Sequence, residues 1–256
     1  MTFMKNEHAY MSPAPGGGLF WGPLVEGRLI KRYKRFLADV ELADENGFFK
    51  GRGQMITAHT PNTGRMLGCS EPGRPVWLSR HDRPGRKYPY TWEMIQMPGT
   101  LVGLNTLAPN RLIASAAAAG LLEEIDGPAR VETEVPVGQS RLDLRLTDSS
   151  GAIVMVEVKN CTLAENGQAY FPDAVTARGA RHLEELAALA KSGLRAAVLI
   201  LTQRSDAEAF SPADHIDPNW GRKLRWAVEE GVEIWAYKAD LSLEKISLGS
   251  RLPVRL

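Results

Sequence analysis

The stretch from Ser140 to Leu163, SRLDLRLTDSSGAIVMVEVKNCTL, constrains this chain more than any other. Over Ser140–Leu146 charge and leucine alternate strictly. Arg141, Asp143 and Arg145 fall on one face and Leu142, Leu144 and Leu146 on the other, the period-2 signature of a strand. Ile153–Lys159, rich in Val and Ile, reads as a second and more buried strand. Between them Ser149-Ser150-Gly151 suits a three-residue hairpin loop whose last, often left-handed position favours Gly. In that register Thr147 faces Ile153 and Asp143 lies opposite Glu157, with Cβ atoms about 5 Å apart. Lys159 shares their face.

Facing carboxylates repel, and a buried strand ending in Glu-Val-Lys costs stability unless its charges have partners. A carboxylate pair beside an open groove suits a hard divalent cation, Mg2+ or Mn2+, which keeps waters and takes one or two protein carboxylates. A neighbouring ammonium, here Lys159, could orient an attacking water or offset charge on a pentavalent phosphate. Asp followed by Glu-x-Lys fourteen residues later is the spacing of PD-(D/E)xK nucleases. The competing reading is a Lys–Glu–Asp ion-pair ladder with no chemistry.

At 256 residues the chain has room for one or two domains, with 44% hydrophobic and 24% charged residues as in ordinary globular proteins. No apolar run reaches membrane-spanning length, and the N-terminus lacks a signal-peptide core. Cys69 and Cys161 lack metal-ligand spacing, which points to a reduced, cytoplasmic setting. Residues 1–100 carry a net charge of +5 and residues 101–256 a net charge of −4. A basic front half suggests contact with an anionic polymer.

Residues 1–18, ending in Pro13-Ala-Pro-Gly-Gly-Gly, read as a flexible leader. From Leu24 to Glu93 short apolar segments are broken by Gly and Pro. Five candidate strands, Leu24–Lys31, Phe36–Leu42, Gly53–Ala58, Val76–Ser79 and Tyr90–Gln96, suit an OB-like five-stranded barrel over residues 19–100. An SH3-like barrel fits the same pattern. Basic and aromatic residues interleave there: Arg28, Lys31, Arg32, Lys34 and Arg35 early, then Arg86 and Lys87 near Tyr88, Tyr90 and Trp92. Such interleaving serves single-strand binding, or else the aromatics fill the barrel and the cations are solvated.

Thr100–Pro109 reads as a connector, and Asn110 can cap a helix over Leu112–Ile125. Strand Val131–Val137, the central hairpin, a helix from about Asp173 to Lys191 and an apolar strand Ala196–Thr202 follow. Arg178, Arg181 and His182 lie on a polar face of that helix and could meet a phosphate backbone. Helix Asn219–Glu230, strand Val232–Tyr237 and an edge at Lys245–Leu248 complete the chain. The order matches the αβββαβ core of a restriction-endonuclease-like domain with a mixed sheet, here residues 101–256. The fold class is thus α/β plus all-β.

Long segments of the chain carry a specific resemblance: RYKRFLADVEL, HTPNTGRMLGCSEPG, RKYPYTWE, VEVKNCTLAENG, YFPDAVTARGARHL and GVEIWAYKADLS. Through them the chain resembles the sugar fermentation stimulation (SfsA) family. The resemblance implies an N-terminal OB-fold, a C-terminal PD-(D/E)xK domain, DNA binding and a role in regulating sugar (maltose) metabolism. It also implies a nuclease site at Asp143, Glu157 and Lys159, with Glu124 as a further acidic residue supporting the metal. Related sequences often have Glu where this chain has Ser115, so one acidic helix residue is absent. The expected activity is a Mg2+-dependent nuclease in which Asp143, Glu157 and the Val158 carbonyl hold the metal. The alternative is a non-catalytic DNA-binding regulator using the nuclease fold as a scaffold.

Overall fold

A computed structural model describes residues 11–44, 53–82, 84–137 and 140–256. Strands β1 (Met11–Ala14) and β2 (Gly18–Trp21) pair from Met11↔Trp21 to Ala14↔Gly18. Residues 11–18, expected within a flexible leader, are therefore a hairpin. Gly16 and Gly17, at φ +69 and +72, make its turn, a conformation that costs glycine little. Met11, Leu19 and Trp21 are buried in the core of the C-terminal sheet, which holds the hairpin down. Residues 1–10 of the expected leader lie outside the described residues.

Next come β3 (Leu24–Tyr33), β4 (Leu37–Leu42), β5 (Met55–His59), β6 (Pro75–Arg80) and β7 (Tyr90–Met97). They run in the order β5-β4-β3-β6-β7, and a parallel contact between His59 of β5 and Thr91 of β7 closes an OB-like barrel. Leu29, Val40, Ala58, Val76, Leu78 and Trp92 fill it. A sixth strand, β8 (Thr100–Gly103), pairs with β7 inside the stretch expected as a connector.

The second half contains α1 (Ala108–Ala118), β9 (Arg130–Val137), β10 (Ser140–Thr147) and β11 (Ile153–Cys161). It continues through β12 (Leu163–Glu165), β13 (Gln168–Phe171), α2 (Ala177–Lys191), β14 (Arg195–Thr202) and β15 (Ala209–Pro212). It ends with α3 (Pro218–Glu229), β16 (Glu233–Leu241) and β17 (Lys245–Arg251). The main sheet has the order β1-β2-β17-β16-β14-β11-β10-β9. It is mixed, because β11, β14 and β16 run parallel and the remaining pairs antiparallel. One face packs on α1 through Leu112, Ile113 and Leu144, the other on α2 and α3 through Leu183, Leu186 and Leu224. Strand β17, expected as an edge, is covered by the N-terminal hairpin. The loop expected over Asp206–Pro218 contains β15, which pairs with β13.

The central hairpin has the register its alternation predicts, from Thr147↔Ile153 to Leu144↔Val156. The common face of its three leucines does not survive. Leu144 and Leu146 pack toward α1, whereas Leu142 packs toward α2 beside Val135 and Val137. The switch falls at Asp143 and at Glu134 on the neighbouring strand, which sits at φ +53. The ladder between β10 and β11 ends there, and the Val158 amide donates to the Asp143 carboxylate instead (2.8 Å).

Helix α1 starts earlier and stops sooner than expected. Leu107 occupies its N-cap, and the chain leaves the helix at Gly120, φ +73. Asn110 is thus not a cap, and its side chain is free for another partner. Helix α2 starts at Ala177 because Thr176 caps it, accepting from the Gly179 amide at 3.0 Å.

The barrel and the second half share a seam. The Gly103 amide donates to the Gln203 carbonyl (2.8 Å), and Val102 bridges to Arg204. The Met66 amide, in the loop after β5, donates to Asp173 Oδ2 at 2.7 Å. Among the described residues no helix is long and apolar enough to cross a membrane.

Candidate metal and nucleic-acid site

A cleft of about 480 Å3 opens along this seam. Its floor is the break in β10 and the end of β11, which bring Asp143, Glu157 and Lys159 together. Its far wall is the β5–β6 loop, Pro61–Gly64. That wall is fixed: the Arg32 guanidinium donates to the carbonyls of Arg35, Asn62, Gly64 and Arg65. A Cβ on Gly64 would meet Asp173 Oδ1 at 2.5 Å, so the loop and the second half approach as closely as backbone allows.

Asp143 accepts from Asn110 Nδ2 (2.7 Å) on one oxygen and from the Val158 amide on the other. Burial, and next the charge of Glu157, push its carboxyl up to about 6. Burial also pushes Glu157 upward. The hydrogen bond from His182 and the charge of Lys159 outweigh it, and Glu157 lies below the usual carboxylate range. Lys159 Nζ donates to Glu157 Oε1 at 2.6 Å and lies 3.1 Å from His182 Nδ1. His182 Nδ1 meets the same Glu157 oxygen, and its Nε2 accepts from Arg178 Nε (3.2 Å). The two carboxyl groups thus shift in opposite directions, side by side in the cleft.

The second oxygen of Glu157, Oε2, is buried without a hydrogen-bond partner. A buried carboxylate oxygen left unpaired is costly, and a cation would satisfy it. Among the described residues no group of three His, Cys, Asp or Glu side chains is placed to hold a metal. Two carboxylates and the Val158 carbonyl fit a cation that keeps several waters, as magnesium does, better than one needing a closed protein cage.

The remaining residues singled out in the sequence fall in different places. Glu124 is not brought to the cleft: Tyr237 donates to its Oε2 (2.6 Å) and Arg251 pairs with its Oε1 (2.7 Å). Ser115 does not line the cleft either. Arg28 pairs with Glu41 (2.9 Å) and Lys31 with Asp39 (3.5 Å). Arg32 is committed to the loop carbonyls, while Lys34 and Arg35 are exposed and Arg35 reaches the cleft. Arg178 is exposed at the cleft, Arg181 is exposed on the same helix, and His182 is buried inside the site rather than lying on an open face. Arg86 and Lys87 line a second pocket.

Asn110 and Asp173 escaped sequence reading. Asn110 sat where a cap was expected, and nothing near Asp173 announced a partner more than a hundred residues away.

The family models for the sugar fermentation stimulation protein RE domain and the SfsA N-terminal OB domain match residues 107–245 and 30–104. A sugar fermentation stimulation protein homolog of Citrifermentans bemidjiense is 49% identical over 235 residues, covering 91% of this chain and 98% of the relative. One from Pseudomonas aeruginosa is 48% identical over 242 residues, covering 93% and 99%. The structure of Pyrococcus furiosus SfsA in complex with Ca2+ superimposes with a TM-score of 0.81 at 29% identity, covering 93% of this chain and 98% of that one.

Proposed function

The chain belongs to the sugar fermentation stimulation protein family, and we propose that its cleft is a magnesium- or manganese-dependent site that hydrolyses phosphodiester bonds in nucleic acid, DNA first. One observation carries this reading. Asp143 and Glu157 lie adjacent at a break in the sheet, with a buried Glu157 oxygen left without a partner. The family member from Pyrococcus furiosus in complex with Ca2+ supports a divalent cation. The basic residues at the cleft support a polyanionic substrate.

The residues divide the work as follows. Asp143, Glu157 and the Val158 carbonyl would hold the cation, which supplies polarisation of the phosphate and a lowered pKa for water. Asn110 fixes the carboxylate plane of Asp143. Lys159 holds the attacking water and offsets negative charge gathering on the phosphate oxygens. The water oxygen bonds to phosphorus as the ester P–O bond breaks; the attacking water gives up one proton to solvent and the leaving oxygen takes one from solvent, so one water is added across the bond. Arg35 and Arg178 meet the flanking phosphates, and His182 steadies Glu157 from behind. The two cysteines are free and buried, which suits a reducing cytoplasm.

The test is cleavage of labelled single- and double-stranded DNA and RNA with magnesium, manganese or EDTA, by the wild type, Asp143→Ala and Lys159→Ala. Metal-dependent cleavage lost in both variants is the expected result. Binding without cleavage, unchanged in the variants, overturns the nuclease reading and leaves a nucleic-acid-binding regulator.

A further inference from the structure

The second pocket, of about 400 Å3, lies on the barrel side of the same seam. His59 ends β5 at its wall, and His81, Arg86, Lys87 and Tyr88 of the β6–β7 connection line the rest. Among the described residues no carboxylate lines it. Arg86 and Lys87 give it positive charge, and burial and the nearby Arg86 hold His59 below its ordinary value. Lys87 Nζ stands 5.4 Å from the centre of the Tyr88 ring. On the β3–β4 turn the Phe36 ring, 41% exposed, lies 6.5 Å from the His59 ring. In an OB barrel the turn between strands 1 and 2, the turn between strands 4 and 5 and the face of strands 2 and 3 bind oligonucleotides. Here those parts are the β3–β4 turn, the β6–β7 connection and β4–β5.

That face does not stand apart from the carboxylate cleft. Arg35, from the same β3–β4 turn as Phe36, lines the cleft. Pro61 lines both cavities, and the segment entering α1 alternates between them. Asn105 and Leu107 face the barrel pocket, whereas Thr106 and Asn110 face the carboxylates. Thr106 Oγ1 donates to the Pro61 carbonyl at 3.3 Å, tying the ridge between the two. The Arg32 clamp and the Met66–Asp173 bond hold the adjoining loop. Each cavity has the volume of a small ligand, and the ridge is fixed rather than hinged. A duplex has two backbones to place at once, whereas a single strand can be taken a nucleotide at a time into two neighbouring cavities of this size.

Resting on the phosphodiesterase reading above, we propose that the substrate class is single-stranded nucleic acid. The strand lies with its bases on Tyr88 and Phe36 and crosses the Pro61–Thr106 ridge into the carboxylate cleft. The barrel pocket is then a specificity subsite for the hydrolytic site, and the two halves of the chain read one continuous strand. Arg86 and Lys87 meet phosphates on the barrel side, as Arg35 and Arg178 do on the other.

The experiment uses the full chain in EDTA, so that no cleavage intervenes. Fluorescein-labelled oligothymidylate and oligouridylate of about 20 nucleotides, enough to exceed one OB footprint, are compared with a duplex of equal length by anisotropy. Single strands bind at least about tenfold more tightly than duplex, and the tighter of the two identifies DNA or RNA. Tyr88→Ala and Phe36→Ala, both at accessible positions, each weaken single-strand binding about tenfold. A photo-crosslinker on Thr106→Cys captures the bound strand. Duplex binding as tight as single-strand binding overturns the proposal. So do wild-type affinities in both aromatic variants, or no capture at position 106. Strand binding on these terms without cleavage by the metal-loaded protein would remove the hydrolytic reading and leave the strand path. Cleavage with duplex preferred would do the reverse.

Discussion

Two of the carboxyl centres among the described residues lie on either side of one seam, and they are built in opposite ways. Glu93, in the barrel, is fully enclosed and fully answered. Ser79 Oγ donates to one oxygen (2.5 Å) and Asn105 Nδ2 to the other (2.7 Å). Its neighbours in hydrogen bonding are neutral, and burial pushes it up to about 7. Asp143 and Glu157 instead face one another across a broken strand, with Lys159 and His182 close by and one oxygen of Glu157 unanswered. A carboxyl group whose lone pairs are met by neutral donors ties elements together, in this case β6, β7 and the segment entering α1. A charged pair left partly unsatisfied beside a cleft is costly unless a further positive group answers it. Burial alone does not mark a functional acid. The partners do.

Substitutions can break this contrast. Asp143→Asn lowers metal-dependent cleavage by about 100-fold or more, while the thermal midpoint holds or rises because the repulsion with Glu157 is gone. A collapse of the midpoint would make the pair structural after all. Glu93→Ala does the opposite. It leaves Ser79 and Asn105 without their acceptor and costs about 2 kcal/mol of stability, with cleavage per folded molecule kept. Glu93→Gln costs less, since an amide still answers both neighbours.

The same residue gives a pH signature. Burial pushes the Glu93 carboxyl up to about 7 in the folded chain, against an ordinary value of 4.5, so the native state binds more protons than the unfolded one in between. Its stabilising contribution is complete below about 4.5 and is lost as pH rises toward about 7, levelling off above. Denaturant midpoints across that window should slope downward, and the slope should flatten in Glu93→Gln. The smallest effect is at Asn110. Asn110→Ala removes one donor from Asp143 and should cost about tenfold in metal affinity, with a stability change near 1 kcal/mol.

Much of this was legible in the sequence, and the failures at the site share a cause. Alternation placed the hairpin register, because a period-2 pattern permits few others. It could not place the break at Asp143, since that depends on Glu134 and on a side chain taking the Val158 amide. The barrel strands were legible from their punctuation by Gly and Pro. The N-terminal hairpin was not, because four-residue strands around Pro-Gly-Gly-Gly look like a tether. Its partner, β17, lies more than two hundred residues on, and the Trp21 amide donates to the Glu244 carbonyl (2.9 Å). His182 was legible as part of a polar helix face, but not as the group against Glu157. Asn110 looked like a cap and is a hydrogen-bond donor to the site. The misses at the site are contacts between residues distant in sequence, for which local pattern carries no signal.

Whether the Asp143–Glu157 pair takes a cation is tested most directly by manganese binding in titration calorimetry, with the free ion followed by electron paramagnetic resonance. The wild type should bind at this site, and Asp143→Ala and Glu157→Ala should lose that binding while remaining folded. No binding by the wild type, or binding that both variants retain, would contradict a cation at this pair and leave the three charges as an ion-pair ladder.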